Sequence, residues 1–125
     1  MSDIKTKPHL TDIHTHITPN VDDGASSLKM SLEMLRSEAE QGANVVFLTS
    51  HSSAFASSWS AARTYENMRK GQEAATEAGI PIQICQGCEI DTNPHAMERI
   101  LQELEDGTLP SMNGTRYILA EFYEN

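Results

Sequence analysis

Basic side chains are scarce in this chain: nine Lys and Arg stand against 18 Asp and Glu, for a formal net charge of −9. That shortage excludes a nucleic-acid backbone binder, which needs clustered Lys and Arg to displace phosphate counterions. An acidic balance suits solubility or cation binding instead. A run of about 18 apolar residues, the length a membrane-spanning helix needs, is also missing. The opening Met1-Ser-Asp-Ile-Lys-Thr-Lys-Pro8 lacks the apolar stretch of a secretory signal. Residues 1–11 therefore read as a polar leader and the protein as cytoplasmic. Cysteine is limited to Cys85 and Cys88. Their C-x-x-C spacing raises a redox pair or half a zinc knuckle, but no second C-x-x-C follows. The pair also ends an apolar run rather than opening a helix that would lower a thiol pKa. They read as ordinary strand thiols. Asp91 and Pro94 stand six positions after the cysteines, so a Cys-x5-Arg phosphate cradle is absent too.

What is present is enough for one domain: 125 residues, 38% of them hydrophobic. Leu28, Leu32, Leu35 and Ala39 repeat at helical spacing behind Ser26 or Ser27 as N-cap, with Gly42 as the stop. Ala43–Thr49 is a β-branched, nearly continuous apolar run, the pattern of a strand covered on both faces. A small-residue loop over 50–60 leads to a second helix over 61–78, rich in Ala, Glu, Arg and Lys despite Gly71, and closed by Gly79. A strand over 82–90 follows. Pro94 then opens a third helix with Met97, Ile100, Leu101 and Leu104 on one face and Gly107 as its stop. Residues 12–14 and 116–122 complete the strands. Strands alternating with helices predict a parallel α/β sheet or barrel wall with right-handed crossovers.

In such layouts ligands collect beyond the carboxyl ends of the strands. His14 and His16 stand at the first such end, His51 after the second strand, Glu89 at the third and Glu121 at the fourth. The i, i+2 spacing of His14 and His16 sends both imidazoles to one side of an extended chain, with Ile13 and Thr15 facing away. Imidazoles with carboxylates suit Mn, Zn or Fe, whereas an all-oxygen shell would suit Mg or Ca. Taken singly, His-x-His is a solvated pair, His51 a loop residue, and Asp22-Asp23-Gly24 a turn in which Gly24 takes a positive φ. Glu121 is the exception, because it follows Tyr117-Ile-Leu-Ala in a strand expected to be buried, where an unpaired carboxylate is costly. Five metal-type residues on successive strand ends point to metal binding. His9 and His95 fall outside the pattern and read as surface residues.

The blocks Asp12-Ile-His-Thr-His16, Pro19-Asn-Val-Asp-Asp-Gly24, Leu48-Thr-Ser-His51, Gly87-Cys-Glu-Ile90 and Arg116-Tyr-Ile-Leu-Ala-Glu-Phe122 resemble the polymerase and histidinol phosphatase (PHP) superfamily. Among its members, the bacterial capsule-type protein tyrosine phosphatases match in order and spacing from Asp12 onward. The resemblance implies a distorted (β/α) barrel holding a cluster of divalent metals, Mn foremost with Zn or Fe as alternatives. It also implies hydrolysis of phosphotyrosine on a tyrosine kinase of polysaccharide export. Carried over by position, it makes His14 and His16 ligands of one metal, Glu89 a bridge to a second held by Glu121, and Asp23 (or else Asp22) with His51 the ligands of a third. Clustered metals bind phosphoryl oxygens and lower the pKa of bound water to about 7, so no cysteine nucleophile is needed.

A closed barrel of this general kind runs to about 250 residues, so residues 1–125 read as a single incomplete domain, the N-terminal half. The superfamily's later blocks, a metal-binding His followed closely by Arg and then an Asp-x-His, have no counterpart here. Ser50 and Ser52 stand where Pro and His are frequent, and Asn20 where Gly is usual. The expectation is therefore a metal-dependent phosphotyrosine phosphatase with little or no turnover by this chain alone. The runner-up is a truncated, non-catalytic remnant that binds metal weakly or associates through an exposed sheet edge with a full-length relative or a second copy. A third reading keeps the metals and takes a small phosphoester as substrate.

Overall fold

Hydroxyl side chains set where two of the helices begin. In the computed structural model, which describes residues 9–122, Ser27 caps helix α1 (Leu28–Glu40) by accepting the Met30 N–H at 3.1 Å. Ser57 caps α2 (Ser58–Glu77) by accepting the Ser60 N–H at 3.1 Å. Each cap satisfies a donor that the first helical turn leaves without a partner, and the second cap starts α2 at Ser58 rather than Ala61. The loop before it is shorter than expected and contains a 3-10 turn, Ser52–Phe55. Pro94 opens a 3-10 turn, Pro94–Ala96, that leads into α3 (Met97–Asp106). Gly107 ends α3 at φ 84°, a left-handed conformation open to a residue without Cβ.

The strands are β1 (Leu10–Asp12), β2 (Ala43–Leu48), β3 (Gln83–Gln86), β4 (Glu89–Asp91) and β5 (Leu119–Glu121). Pairing is parallel throughout, with β2 between β1 and β3, and β4 beside β5. The expected single strand over 82–90 is broken at Gly87-Cys88, where a Cβ on Gly87 would lie 2.8 Å from Met112 Sδ and 2.9 Å from Thr49 Cγ2. The ladder nonetheless carries on across the break. Leu48 pairs with Gln86, the Gly87 N–H donates to Leu48 O at 3.1 Å, the Glu89 N–H donates to Ser50 O at 2.9 Å, and His51 bridges to Glu89. The wall therefore runs in chain order: β1, β2, the broken β3–β4 line, then β5.

Three boundaries differ from the sequence reading. The first strand spans Leu10–Asp12 rather than residues 12–14, so Leu10 and Thr11 belong to the sheet; residues 1–8 of the expected leader lie outside the described residues. The last strand shortens to Leu119–Glu121 because Tyr117 O instead accepts the Met112 N–H at 2.8 Å. It is also only half-buried, with Tyr117, Ile118 and Phe122 exposed. The buried setting expected for Glu121 is therefore absent, since β5 pairs with β4 alone among the described residues.

Two apolar clusters hold the wall. Ile17, Leu35, Val46, Leu48, Met68, Ala75, Ile80 and Ile82 close against α1 and α2. Phe55, Cys88, Ile90, Ile100 and Leu109 form the second beside α3. On α1 the buried stripe takes Ser31 in place of Leu28, because the Ser31 hydroxyl donates to Ile17 O at 2.5 Å. Leu101 of α3 turns to solvent while Ile100 is buried. Both thiols are free and buried, and burial pushes Cys88 up to about 12, which suits packing and not nucleophilic attack. Among the described residues no helix is long and apolar enough to cross a membrane.

Candidate metal centre

Beyond β1 the chain stays extended because Thr15 and Thr49 lock it to the chain leaving β2. The Thr49 N–H donates to Thr15 O at 2.9 Å, the Thr15 N–H to Thr49 Oγ1 at 3.0 Å, and the Thr49 hydroxyl back to Thr15 O at 3.0 Å. With Thr15 turned inward, His14 and His16 emerge together on the other side, their ring centroids 5.4 Å apart. Both histidines lie past the end of β1, so the ladder of loop bonds, and not strand pairing, positions them.

The following turn folds back onto His16. The Ala25 N–H donates to His16 O at 2.9 Å, and the Asn20 N–H to Ala25 O at 2.8 Å. Asn20 takes φ 59°, which accounts for an Asn where glycine would also fit. Gly24 is needed for a different reason than expected: its φ is not positive, and a Cβ there would sit 2.0 Å from His16 O. The close approach buries Asp22, whose side chain is 5% exposed, and leaves Asp23 at 79%. Sequence reasoning favoured Asp23 and gave Asp22 little weight, since only burial separates the two adjacent aspartates.

Glu89, the first residue of β4, sits at the centre with a side chain 8% exposed. His14 Nε2 lies 3.3 Å from its Oε1; His16 Nε2 lies 2.9 Å and His51 Nδ1 3.4 Å from its Oε2. Despite these distances Oε2 accepts no properly aligned hydrogen bond. A buried anion faced by three imidazole nitrogens and lacking a donor is a costly arrangement in a protein alone. A shared cation would satisfy it, so this donor set fits a divalent ion with mixed nitrogen and oxygen ligands. His51 Nε2 also lies 3.2 Å from Asp23 Oδ1, and donor atoms of His51, Glu89 and Glu121 lie within 4.8 Å of one another. All six residues singled out in the sequence thus stand around one site. His9 and His95 are exposed and apart from these groups.

The charges are coupled. Burial works against a charged His16, but the Asp22 hydrogen bond and the Asp22, Glu89 and Asp23 carboxylates outweigh it and hold its pKa above the usual value. Burial likewise opposes the Asp22 carboxylate, yet hydrogen bonds from His16, Gly24 and His51 hold its pKa below the usual range.

A sequence model of the family described as capsular polysaccharide synthesis, CpsB/CapC, matches residues 10–125. The chain belongs to the CpsB/CapC family. Among CpsB/CapC relatives, it is 33% identical to the tyrosine-protein phosphatase CpsB of Streptococcus pneumoniae over 113 residues, covering 90% of this chain and 45% of that protein. It is 32% identical to the tyrosine-protein phosphatase YwqE of Bacillus subtilis, covering 90% of this chain and 43% of that one. A crystal structure reported for YwqE from Bacillus subtilis and CpsB from Streptococcus pneumoniae, described as metal-dependent tyrosine phosphatases, superposes with a TM-score of 0.74 at 30% identity. It covers 91% of this chain and 44% of the solved one. The chain thus shares the α/β fold of that structure and spans under half the length of these CpsB/CapC relatives.

Proposed function

We propose that these residues carry part of the divalent-metal centre of a phosphoesterase acting on protein phosphotyrosine. The carrying observation is the buried Glu89 carboxylate, faced by His14, His16 and His51 with no hydrogen bond to Oε2. In this reading His14, His16 and Glu89 would hold one ion, Glu89 with Glu121 a second, and Asp23 with His51 a third. Manganese is the preferred ion, with zinc or iron compatible with the same nitrogen and oxygen donors. Bound divalent ions supply Lewis acidity toward phosphoryl oxygens and make water a better nucleophile at neutral pH. This chain's residues contribute negative charge that keeps the ions in place and a rigid wall that fixes their spacing.

The substrate class is taken from the relatives named as tyrosine-protein phosphatases, and the sequence resemblance adds a tyrosine kinase of polysaccharide export as the proposed partner, in keeping with a family described by capsular polysaccharide synthesis. A cytoplasmic setting agrees with two free thiols. Because the chain spans 45% of its relative's length, a polypeptide of these 125 residues is expected to hold metal and turn over little substrate. The test is metal content after gel filtration, together with Mn2+-dependent hydrolysis of a phosphotyrosine peptide and of p-nitrophenyl phosphate. Two or more ions held per chain support the centre, and none sinks it. Robust hydrolysis abolished by His16→Ala would refute the low turnover. A second reading keeps the metal without turnover and has the chain associate with a full-length relative; the exposed Tyr117, Ile118 and Phe122 beside the open edge of β5 favour it.

A further inference from the structure

Asp22 stands inside the donor cluster and is grouped by distance with His16, Asp23 and His51, yet its oxygens are already engaged. Oδ1 accepts the Gly24 N–H at 2.9 Å. Oδ2 accepts the His51 N–H at 3.1 Å and lies 3.0 Å from His16 Nδ1. A proton on Nδ1 directed at Asp22 leaves the other ring nitrogen, Nε2, with its lone pair toward Glu89. We infer that Asp22 is a positioning residue and not a ligand: it holds His16 as the Nδ1–H tautomer with Nε2 presented to the ion.

The same Oδ2 ties two chain segments together. It grips the His16 ring on one side and the His51 backbone on the other, setting two imidazoles whose centroids are 4.6 Å apart. Outer-shell carboxylates of this type fix ring orientation and raise ligand basicity. Asp23 differs in kind, for its carboxylate is exposed, lies 3.2 Å from His51 Nε2 and is free to turn toward an ion. The inference rests on the proposed reading of His16 as a metal ligand.

The test uses the 125-residue chain with Zn2+ as the probe, because Zn2+ is diamagnetic and leaves histidine spectra readable. Long-range 15N–1H correlation of the metal-free chain at alkaline pH is expected to show His16 protonated at Nδ1. In the Zn2+-loaded chain His16 should be bound through Nε2. Calorimetric titration should show Asp22→Asn weakening Zn2+ binding by roughly 10- to 100-fold with the number of ions per chain unchanged. Asp22→Glu, which keeps the acceptor, should recover part of that loss. Three results overturn the role of Asp22: an Nε2–H tautomer in the unsubstituted chain, an affinity indifferent to Asp22→Asn, or loss of one whole ion per chain in that variant. Failure of the unsubstituted chain to bind any Zn2+ overturns the metal reading itself, a separate outcome. The tautomer in the unsubstituted chain decides the matter even if Asp22→Asn does not fold.

Discussion

Thr15 and Thr49 tie the chain after β1 to the chain after β2 by three hydrogen bonds, while among the described residues β5 pairs with β4 alone. At the first place the backbone is buried and the apolar side chains beneath it, Ile17, Leu35, Val46 and Leu48, are closed off from solvent. At the second, Thr92 donates from both its N–H and its hydroxyl to Glu121 O, and that clamp sits among exposed Tyr117, Ile118 and Phe122. Both places deliver a carboxylate or imidazole to the same centre. The contrast teaches that burial and a ladder of loop bonds hold the chain leaving β1, itself an edge strand among the described residues, whereas β5 holds the Glu121 carboxylate among exposed side chains.

The largest test of that contrast is in packing. Leu35→Ala should cost about 2–5 kcal/mol by loss of burial plus a cavity, whereas Ile118→Ala at the open end should stay within about 0.5 kcal/mol; urea unfolding in EDTA measures both. Equal costs would remove the distinction.

Metal affinity comes next. Glu89→Gln should weaken Mn2+ binding by roughly 100-fold or more, beyond the effect typical of outer-shell partners, and Glu121→Gln by roughly 10-fold. Calorimetric titration of the two variants compares the interior and edge carboxylates directly, and a larger loss at Glu121 would reverse their ranking.

A smaller effect is expected inside α2. Gly71 is buried, and a Cβ there would meet only Ile84 Cδ1 at 4.0 Å, an ordinary contact. Gly71→Ala should therefore raise stability by about 0.5–1 kcal/mol through the helix preference alone, visible as a higher melting temperature. A drop would show that the α2–β3 seam has no room and that this side is packed more tightly than the distances indicate.

The smallest effect lies beside β1. Burial, with the neighbouring Asp12 carboxylate as hydrogen-bond partner and like charge, pushes Glu38 up to about 7. A carboxyl raised in the folded state binds its proton more tightly than in the unfolded chain, so its contribution is fully present below the ordinary carboxylate range. That contribution is lost as pH rises through about 7. In EDTA the stability of the parent chain should fall across that window, and Glu38→Gln should flatten the fall.

Much of the layout was legible because it depends on local chemistry. Serine caps, glycine stops and the change from helical to strand periodicity located three helices and the alternation with parallel strands. Misplacements came where non-local contacts compete with local preference. Leu10 and Thr11 look like leader residues until Ala43 and Val45 pair with them. The run over 82–90 is apolar enough for one strand, and Met112 and Thr49 crowding Gly87 mark where it breaks. Leu28 fits the helical stripe by spacing, yet Ser31 takes the buried place because Ile17 O needs its hydroxyl.

Residue types in order determined that imidazoles and carboxylates recur near successive strand ends, since a parallel α/β layout brings those ends together, although the break after β3 makes Glu89 open β4 instead of closing one longer strand. Which of two adjacent aspartates is buried, why Gly24 must be glycine, and how one carboxylate comes to face three histidines were decided by the tertiary structure alone. Each depends on chain segments distant in sequence meeting within about 3 Å, the range over which hydrogen bonds and steric contact act. No local pattern carries that information.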